Sequence, residues 1–488
     1  MAVSRLVCRA LRTPFPGFSD GSGYDGALIA GLLANPLFWI ALGAPTTAKL
    51  GLIVASQTIG SLPGLIPAAI LADRLGRRRA MAIGYLILIA GAMTLGFAGI
   101  QGPWYIFGGR IIVGFGSVFT TIAGAPYTAE IAHPRNRPET TALIQTCFYV
   151  SSILAAWISF SALKINNDWS WRMCLLFQNV TPMIVLCLLP FAPESPRWLV
   201  AQGRTEEAHR MLAKYHANGD MDDELVLWEL KEINKALEIE KMAKNVGYSE
   251  FFKTKGNRKR LFIILFVGFS AQWVGNGIIS FYVVSILESV GITNPTDQTA
   301  YNGGLQIWNW FSAIGGGLVC ERFGRRKMWL TSSIGQFFSY AVITLCSALY
   351  ANGHAKAGYP VLASLFVYFF FYSIAFTPLL LAYPIEILPY TLRSKGVSIL
   401  LFCTLTATML NTFVNPLALE ALEWKYYFVF LGMIVIVTIV IYFYYPETQG
   451  HSLEEIAVIF DGPAAKTTAD DDDDFVAPEE RRGTLDPR

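Results

Sequence analysis

Two kinds of residue in this chain could do chemistry in surroundings that make it expensive. Asp25 heads the run GSGYDGALIAGL, and Arg110 lies in GRIIVGFG, both otherwise small and apolar stretches. A low-dielectric site disfavours a charged carboxylate, and a nearby guanidinium favours it again. A site balanced between the two can load and release a proton as its geometry alternates. The plainer alternative is a static buried ion pair. The second kind is a repeated pattern. ILADRLGRRR (70–79) and LVCERFGRRK (318–327) share an acid, an Arg, an apolar residue, Gly and two Arg, and YTAEIAHPRNR (127–137) is echoed by YPIEILPYTLR (383–393). Bridges among Asp73, Arg77, Glu130, Glu321, Arg325, Glu386 and Arg393, both within each set of loops and across the two sets, can act as a gate that holds one side shut in one conformation and breaks in another. For Arg79 and Lys327, a role in setting membrane topology is sufficient.

The elements that must position these residues are membrane spans. The chain has 488 residues, of which 53% are hydrophobic and 15% charged, with a mean hydropathy of +0.42. That composition is too apolar for a soluble protein of this length. Runs of about 20 apolar residues, the length needed to cross a bilayer, lie at 23–42, 49–72, 80–100, 104–127, 141–163, 173–192, 261–289, 300–320, 328–350, 358–384, 395–419 and 426–445. They read as helices, since only helices or closed barrels satisfy their backbone in lipid, and the runs are too long for alternating barrel strands. Arg and Lys concentrate after the second, fourth, eighth and tenth runs and in 197–260, which places both termini and the middle loop in the cytoplasm.

The expected organisation is therefore an atypical N-terminal segment (1–22), a six-helix half (23–192), a cytoplasmic helical loop (193–258), a second six-helix half (259–445) and a partly disordered cytoplasmic tail (446–488) carrying the acidic run 470–474. The first helix is expected to be shortened, because RTPFPGFSDGSG precedes Asp25 where a full span would place apolar residues. Duplicated halves with matching loop motifs point to a transporter with its substrate site between the halves near the midplane. No basic surface is available for nucleic acid. The five His are scattered and the Cys lie mostly in apolar stretches, so no enzyme activity, metal or cofactor is expected.

At this point the residues resemble a known family, the sugar porters of the major facilitator superfamily. The resemblance runs from about residue 23 to 460. It rests most heavily on PESPRWL (193–199) and PETQGHSLEEI (446–456), with GRIIVGFG and DRLGRR in support; GYDGALIAGL, QWVGNGIISFY and YPIEILPYTLRSKG look most like the fungal lactose-permease and hexose-transporter-like branch. It implies an all-α membrane protein, with twelve helices in two six-helix halves working by alternating access. It also implies that Gln145, Gln272, Asn276, Asn309 and Asn411 contact a sugar, and that Asp25 and Arg110 pair in the manner of proton-coupled members. Amides offer donor and acceptor together, which suits a ligand covered in hydroxyls; hydrogen bonding between helices is the competing role for them. Leu381 stands near where the family usually has a Trp beneath the sugar, leaving a larger cavity that leans towards a disaccharide.

The expected function is transport of a mono- or disaccharide across the plasma membrane by a monomer, coupled to a proton, with the bilayer as its other partner. A facilitative uniporter is the nearest alternative. Readings of another class are a transporter-like sugar sensor, disfavoured by the short tail 446–488, or a non-functional truncated product.

Overall fold

The computed structural model describes residues 22–97, 103–244, 246–451 and 453–462; the segment before residue 22 and the acidic run 470–474 lie outside the described residues. Its first rod is α1 (Ser22–Leu33) followed by α2 (Pro36–Ala41). Single rods follow: α3 (Thr47–Leu75), α4 (Arg77–Phe97), α5 (Pro103–Ile131) and α6 (Arg137–Ala162). The sixth rod is broken into α7 (Trp169–Phe177) and α8 (Val180–Leu188). Short helices α9 (Pro196–Ala201), α10 (Thr205–His216), α11 (Glu224–Lys244) and α12 (Glu250–Lys253) then cover one end of the bundle. The seventh rod is again broken, into α13 (Lys255–Trp273) and α14 (Asn276–Ser289). After it come α15 (Pro295–Phe323), α16 (Arg325–Ala351), α17 (Gly358–Ile387), α18 (Tyr390–Leu422), α19 (Tyr427–Tyr444) and a tail helix α20 (Leu453–Asp461).

Eight stretches among the described residues are long and apolar enough to cross a membrane, and one of them, Tyr390–Tyr444, holds both α18 and α19. Gly23–Leu33 and Thr146–Ala162 are shorter apolar helices. With α15, whose polar residues dilute its hydropathy, the described residues form twelve rods, an all-helical membrane fold. Large apolar side chains such as Ile66, Leu318, Phe338 and Phe443 stay exposed on the outside of the bundle, where lipid rather than water accepts them. Among the described residues α1 has 12 residues, and Asn35 begins α2 by accepting the Leu37 N–H at 3.0 Å.

Packing repeats with the chain. In the first half α3 packs on α5, α4 on α5 and α1 on α6. Six rods later α15 packs on α17, α16 on α17 and α13 on α18. The halves meet where α3 lies along α18 and α6 along α15. Close approach between helices depends on missing side chains. A Cβ on Gly114 would collide with the Gln57 carbonyl oxygen, and one on Gly60 with that of Ile111. This contact between α3 and α5 brings Gln57 beside Arg110.

The break in the seventh rod is built rather than accidental. Gly275 has φ +98°, and a Cβ there would meet the Tyr340 ring. The carbonyls freed at the break find phenols: Tyr368 donates to Val274 O at 3.0 Å and Tyr372 to Ala271 O at 3.1 Å. A broken helix at membrane depth is tolerated only when such partners exist.

Candidate transport pathway and its charge networks

Asp25 is wholly buried in α1. Its Oδ2 accepts a hydrogen bond from Gln57 Nε2 at 2.7 Å, and its Oδ1 accepts one from Gln178 Nε2. Gln57 turns its other end to Arg110, whose Nη2 donates to Gln57 Oε1 at 2.9 Å. The sequence points to Asp25 and Arg110 as a pair. The structure brings them together and adds a third member, an amide that bonds both. Gln178 reaches Asp25 because the sixth rod breaks just there, between α7 and α8. Sequence reasoning misses both Gln57 and Gln178, although a lone amide in an apolar run is a readable signal.

At this depth the second half is furnished with amides. Asn276, the first residue of α14, donates to the Tyr372 hydroxyl at 3.2 Å and accepts from Ser280 at 3.0 Å. Gln272 is half-buried one turn earlier. Asn309 in α15 is buried, and its Oδ1 has no hydrogen-bond partner among the described residues. Asn411 in α18 is buried with an unpartnered Nδ2, while its Oδ1 accepts from Asn415 at 2.8 Å. A Cβ on Gly277 would collide with that Oδ1, so Asn411 is packed against the broken seventh rod. Buried amide atoms without protein partners suit a polar ligand. The side chains of Gln145 and Glu321 lie outside the described residues.

The arginine-rich loops form two networks at one end of the bundle, the basic face. In the first half Arg77 pairs with Asp73 at 2.8 Å and stands 3.6 Å from Glu130. Glu130 also accepts from the Ser195 hydroxyl. Glu194 Oε1 accepts the backbone N–H of Arg78 at 3.2 Å and that of Ser195 at 3.0 Å. Tyr127 donates to Pro193 O at 2.7 Å.

The second half repeats this plan. Arg325 pairs with Glu386 at 3.1 Å, and Glu386 accepts from the Thr448 hydroxyl at 2.5 Å. Glu447 accepts the N–H groups of Arg325, Arg326, Thr448 and Gln449 at 2.7–3.3 Å. Tyr383 donates to Pro446 O at 3.0 Å. The turns under these carboxylates need glycine. Gly76 and Gly324 have φ of +96° and +90°, and a Cβ would press on Glu194 and on Glu447 respectively.

Of the gate residues expected from the sequence, Arg77, Glu130, Arg325 and Glu386 lie inside these networks. Asp73 is at their rim, its carboxylate largely exposed. Arg393 lies over the Tyr390 ring at 5.5 Å, and its Nε has no partner among the described residues. Glu194, Ser195, Glu447 and Thr448 enter the sequence only as parts of family signatures. The echo of Pro-Glu-Ser in Pro-Glu-Thr is the signal that they act together. The pairs Arg77–Glu130 and Arg325–Glu386 each lie within one half. At this face the middle loop meets the second half, α11 packing on α18, where Arg197 of α9 bonds Glu240 at 3.0 Å and the Tyr390 hydroxyl at 3.3 Å.

Comparison with known proteins agrees with this architecture. The model of the family described as "Sugar (and other) transporter" matches residues 21–460. The chain is 28% identical over 447 residues to the "MFS-type transporter oryC" of Aspergillus oryzae, covering 89% of this chain and 82% of that protein. It is 28% identical over 457 residues to a "High-affinity glucose transporter" of Kluyveromyces lactis, covering 89% and 81%. Among solved structures it is similar to the inward-open xylose transporter XylE of E. coli. That likeness has a TM-score of 0.75 at 20% identity and spans 93% of this chain and all of the other. The chain belongs to the sugar (and other) transporter family, within the sugar porters of the major facilitator superfamily.

Proposed function

We propose that this protein is a proton-coupled sugar symporter of the plasma membrane, working as a monomer by alternating access, with its basic face and both termini in the cytoplasm. The observation that carries the coupling is the buried chain Asp25–Gln57–Arg110, an acid and a guanidinium held at either end of one amide. Protonating Asp25 removes the charge that Gln57 and Gln178 stabilise, so the amide bridge weakens and α1 is freed from α3 and from the break in the sixth rod. Deprotonation restores the bridge. The sugar sits mainly on the second half, where Asn276 and Gln272 flank the broken seventh rod and Asn309 and Asn411 offer amide atoms without partners among the described residues; Gln145 is the contact that the family resemblance implies from the first half. Proton and sugar thus bias the same rocking motion from opposite halves, which is the requirement for coupling. Arg77, Glu130, Arg325 and Glu386, with the carboxylates of Glu194 and Glu447, hold the cytoplasmic ends of each half together during that motion, with Asp73 at their rim.

A sugar as cargo is supported by the glucose transporter among the fungal relatives. Coupling is supported by the structural likeness to XylE, a proton:xylose symporter. The test is uptake of labelled lactose, cellobiose, glucose and xylose in a transport-null yeast, with and without a protonophore. Symport predicts accumulation above the outside concentration that the protonophore abolishes. Uptake that only equilibrates and ignores the protonophore contradicts coupling and leaves a uniporter.

A further inference from the structure

A stripe of amides runs along one face of α15. Asn302, Gln306 and Asn309 recur at helical spacing and are all buried, while Trp308, Phe311 and Leu318 on the opposite side are exposed, as lipid-facing side chains are. The flanks of the stripe are fixed by neighbours. The Tyr301 hydroxyl donates to Leu362 O of α17, and a Cβ on Gly303 would lie 3.1 Å from the Trp157 indole of α6. Asn302 stands between these two contacts, so the stripe faces the inside of the bundle, towards α1 and α14.

The stripe prolongs the proposed sugar site away from the basic face. Asn309 belongs to that site, and Asn302 lies seven residues nearer the outer end of α15 (309 − 302), which is about 10 Å at a rise of about 1.5 Å per residue. That is the reach of two joined sugar rings rather than one. The next amide outward, Gln298, is engaged by the preceding loop, its Nε2 donating to Ile292 O at 2.8 Å.

The bonding within the stripe leaves atoms free. Gln306 Nε2 donates to Asn302 Oδ1 at 3.3 Å, inside one helix. Asn302 is only 4% exposed, and its Nδ2 has no partner among the described residues. An amide that joins helices bonds a neighbouring helix, and among the described residues Asn302 bonds none. A buried donor without a partner destabilises the conformation that holds it. In this conformation the outer end is closed over it. Near the start of α3, a Cβ on Gly51 would stand 2.8 Å from the Phe413 carbonyl oxygen and 3.2 Å from Pro416 of α18. A hydroxyl-covered ligand that enters when the halves part at this end supplies the missing acceptor.

We propose that Asn302 and Gln306 form an outer subsite that takes the second ring of a disaccharide whose first ring lies at Asn309. The inference rests on the sugar-transport reading and narrows it to two-ring cargo. Selection follows from the amides themselves, because a one-ring sugar leaves the outer pair unpaired.

The experiment is equilibrium binding to the full-length protein in lipid nanodiscs, with glucose and xylose as one-ring probes and cellobiose and lactose as two-ring probes. Wild type is expected to bind cellobiose or lactose about tenfold tighter than either monosaccharide. Asn302→Leu is expected to lower that ratio about three- to tenfold, the effect of one hydrogen bond, and Gln306→Leu to lower it by a similar factor. Without sugar, Asn302→Leu is expected to unfold at the same or a higher temperature than wild type, because it removes an unpartnered donor. An unchanged ratio in either variant overturns the subsite. So does earlier unfolding of Asn302→Leu, which would make the amide a packing residue. Binding of the one-ring sugars with no gain for the two-ring sugars also overturns the subsite, and it leaves the transport reading standing. Failure of all four sugars to bind removes both.

Discussion

Glu194 in the first half and Glu447 in the second perform the same task. Each receives backbone N–H groups from a glycine turn between two helices, and each is followed by a hydroxyl residue bonded to a second glutamate, Glu130 or Glu386. Deeper in the membrane the likeness ends. The first half holds a buried acid and a buried guanidinium joined by Gln57, while the matching depth of the second half carries amides and tyrosines, Asn276, Tyr372, Asn411 and Asn415. The lesson is a division of labour. Features that both halves need in order to move as rigid bodies are duplicated. In the proposed reading the features that distinguish a proton from a sugar are not duplicated: the charge chemistry lies in the first half, and most of the hydroxyl chemistry lies in the second.

The sharpest way to break this comparison is to cut the part that is not duplicated. Gln57→Leu takes one buried partner from Asp25 and one from Arg110, and two such losses at about 1–3 kcal/mol each lead to an expected fall of about a hundredfold in proton-driven uptake. Surface expression checked alongside guards against a folding defect. Uptake within a factor of two of wild type would remove the bridge from the mechanism.

The duplicated carboxylates come next. Among the described residues Glu447 takes four backbone N–H groups where Glu194 takes two. Glu447→Ala is expected to destabilise by about 3 kcal/mol and Glu194→Ala by about 2, read as thermal unfolding in detergent. Equal losses would mean that the extra donors in the second half contribute nothing.

A smaller effect tests a brace on the second half. Arg260 is fully buried at the base of α13. It pairs with Asp461 of the tail helix at 2.7 Å and donates to Ile387 O at 2.9 Å. Asp461→Asn keeps the shape and removes the charge, at an expected cost of about 1–2 kcal/mol. Faster protease clipping of the tail would report it, and unchanged clipping would show that the helix is held by its apolar face alone.

The smallest effect belongs to Asp73, whose carboxylate is 77% exposed. Its pair with Arg77 is expected to contribute under about 0.5 kcal/mol. Asp73→Asn should therefore leave both unfolding temperature and uptake near wild type, while Glu130→Gln should not. If the two variants behave alike, the charge network extends to the surface.

Most of the fold is legible in the sequence because lipid makes the rules strict. Each apolar run from 49–72 to 426–445 coincides with a helical rod, and the basic loops fall on one face. The breaks in the sixth and seventh rods are not legible. Nothing in CLLFQNV marks a helix end, since the break exists to bring Gln178 to Asp25, a residue 153 positions away. The site is legible in its residue types more than in its pairings. Asp25 and Arg110 are evident as charges in apolar helices, but the amide bonded to both depends on how closely Gly60 and Gly114 allow α3 and α5 to approach. The glutamates of the two Pro-Glu-Ser/Thr stretches are visible as a repeat, yet their ligands are backbone N–H groups, which every sequence has and none displays. Arg393 is expected among the charges and instead lies on an aromatic ring, a preference that depends on which way one helix end turns.

The central claim is that protonation of Asp25 drives accumulation. The direct measurement compares Asp25→Asn with wild type in proteoliposomes, for sugar counterflow and for uphill accumulation under an imposed pH gradient. The variant, neutral at all pH values, is predicted to keep counterflow and lose accumulation altogether. Full uphill accumulation by Asp25→Asn would contradict the claim and leave the Asp25–Gln57–Arg110 chain as a static brace.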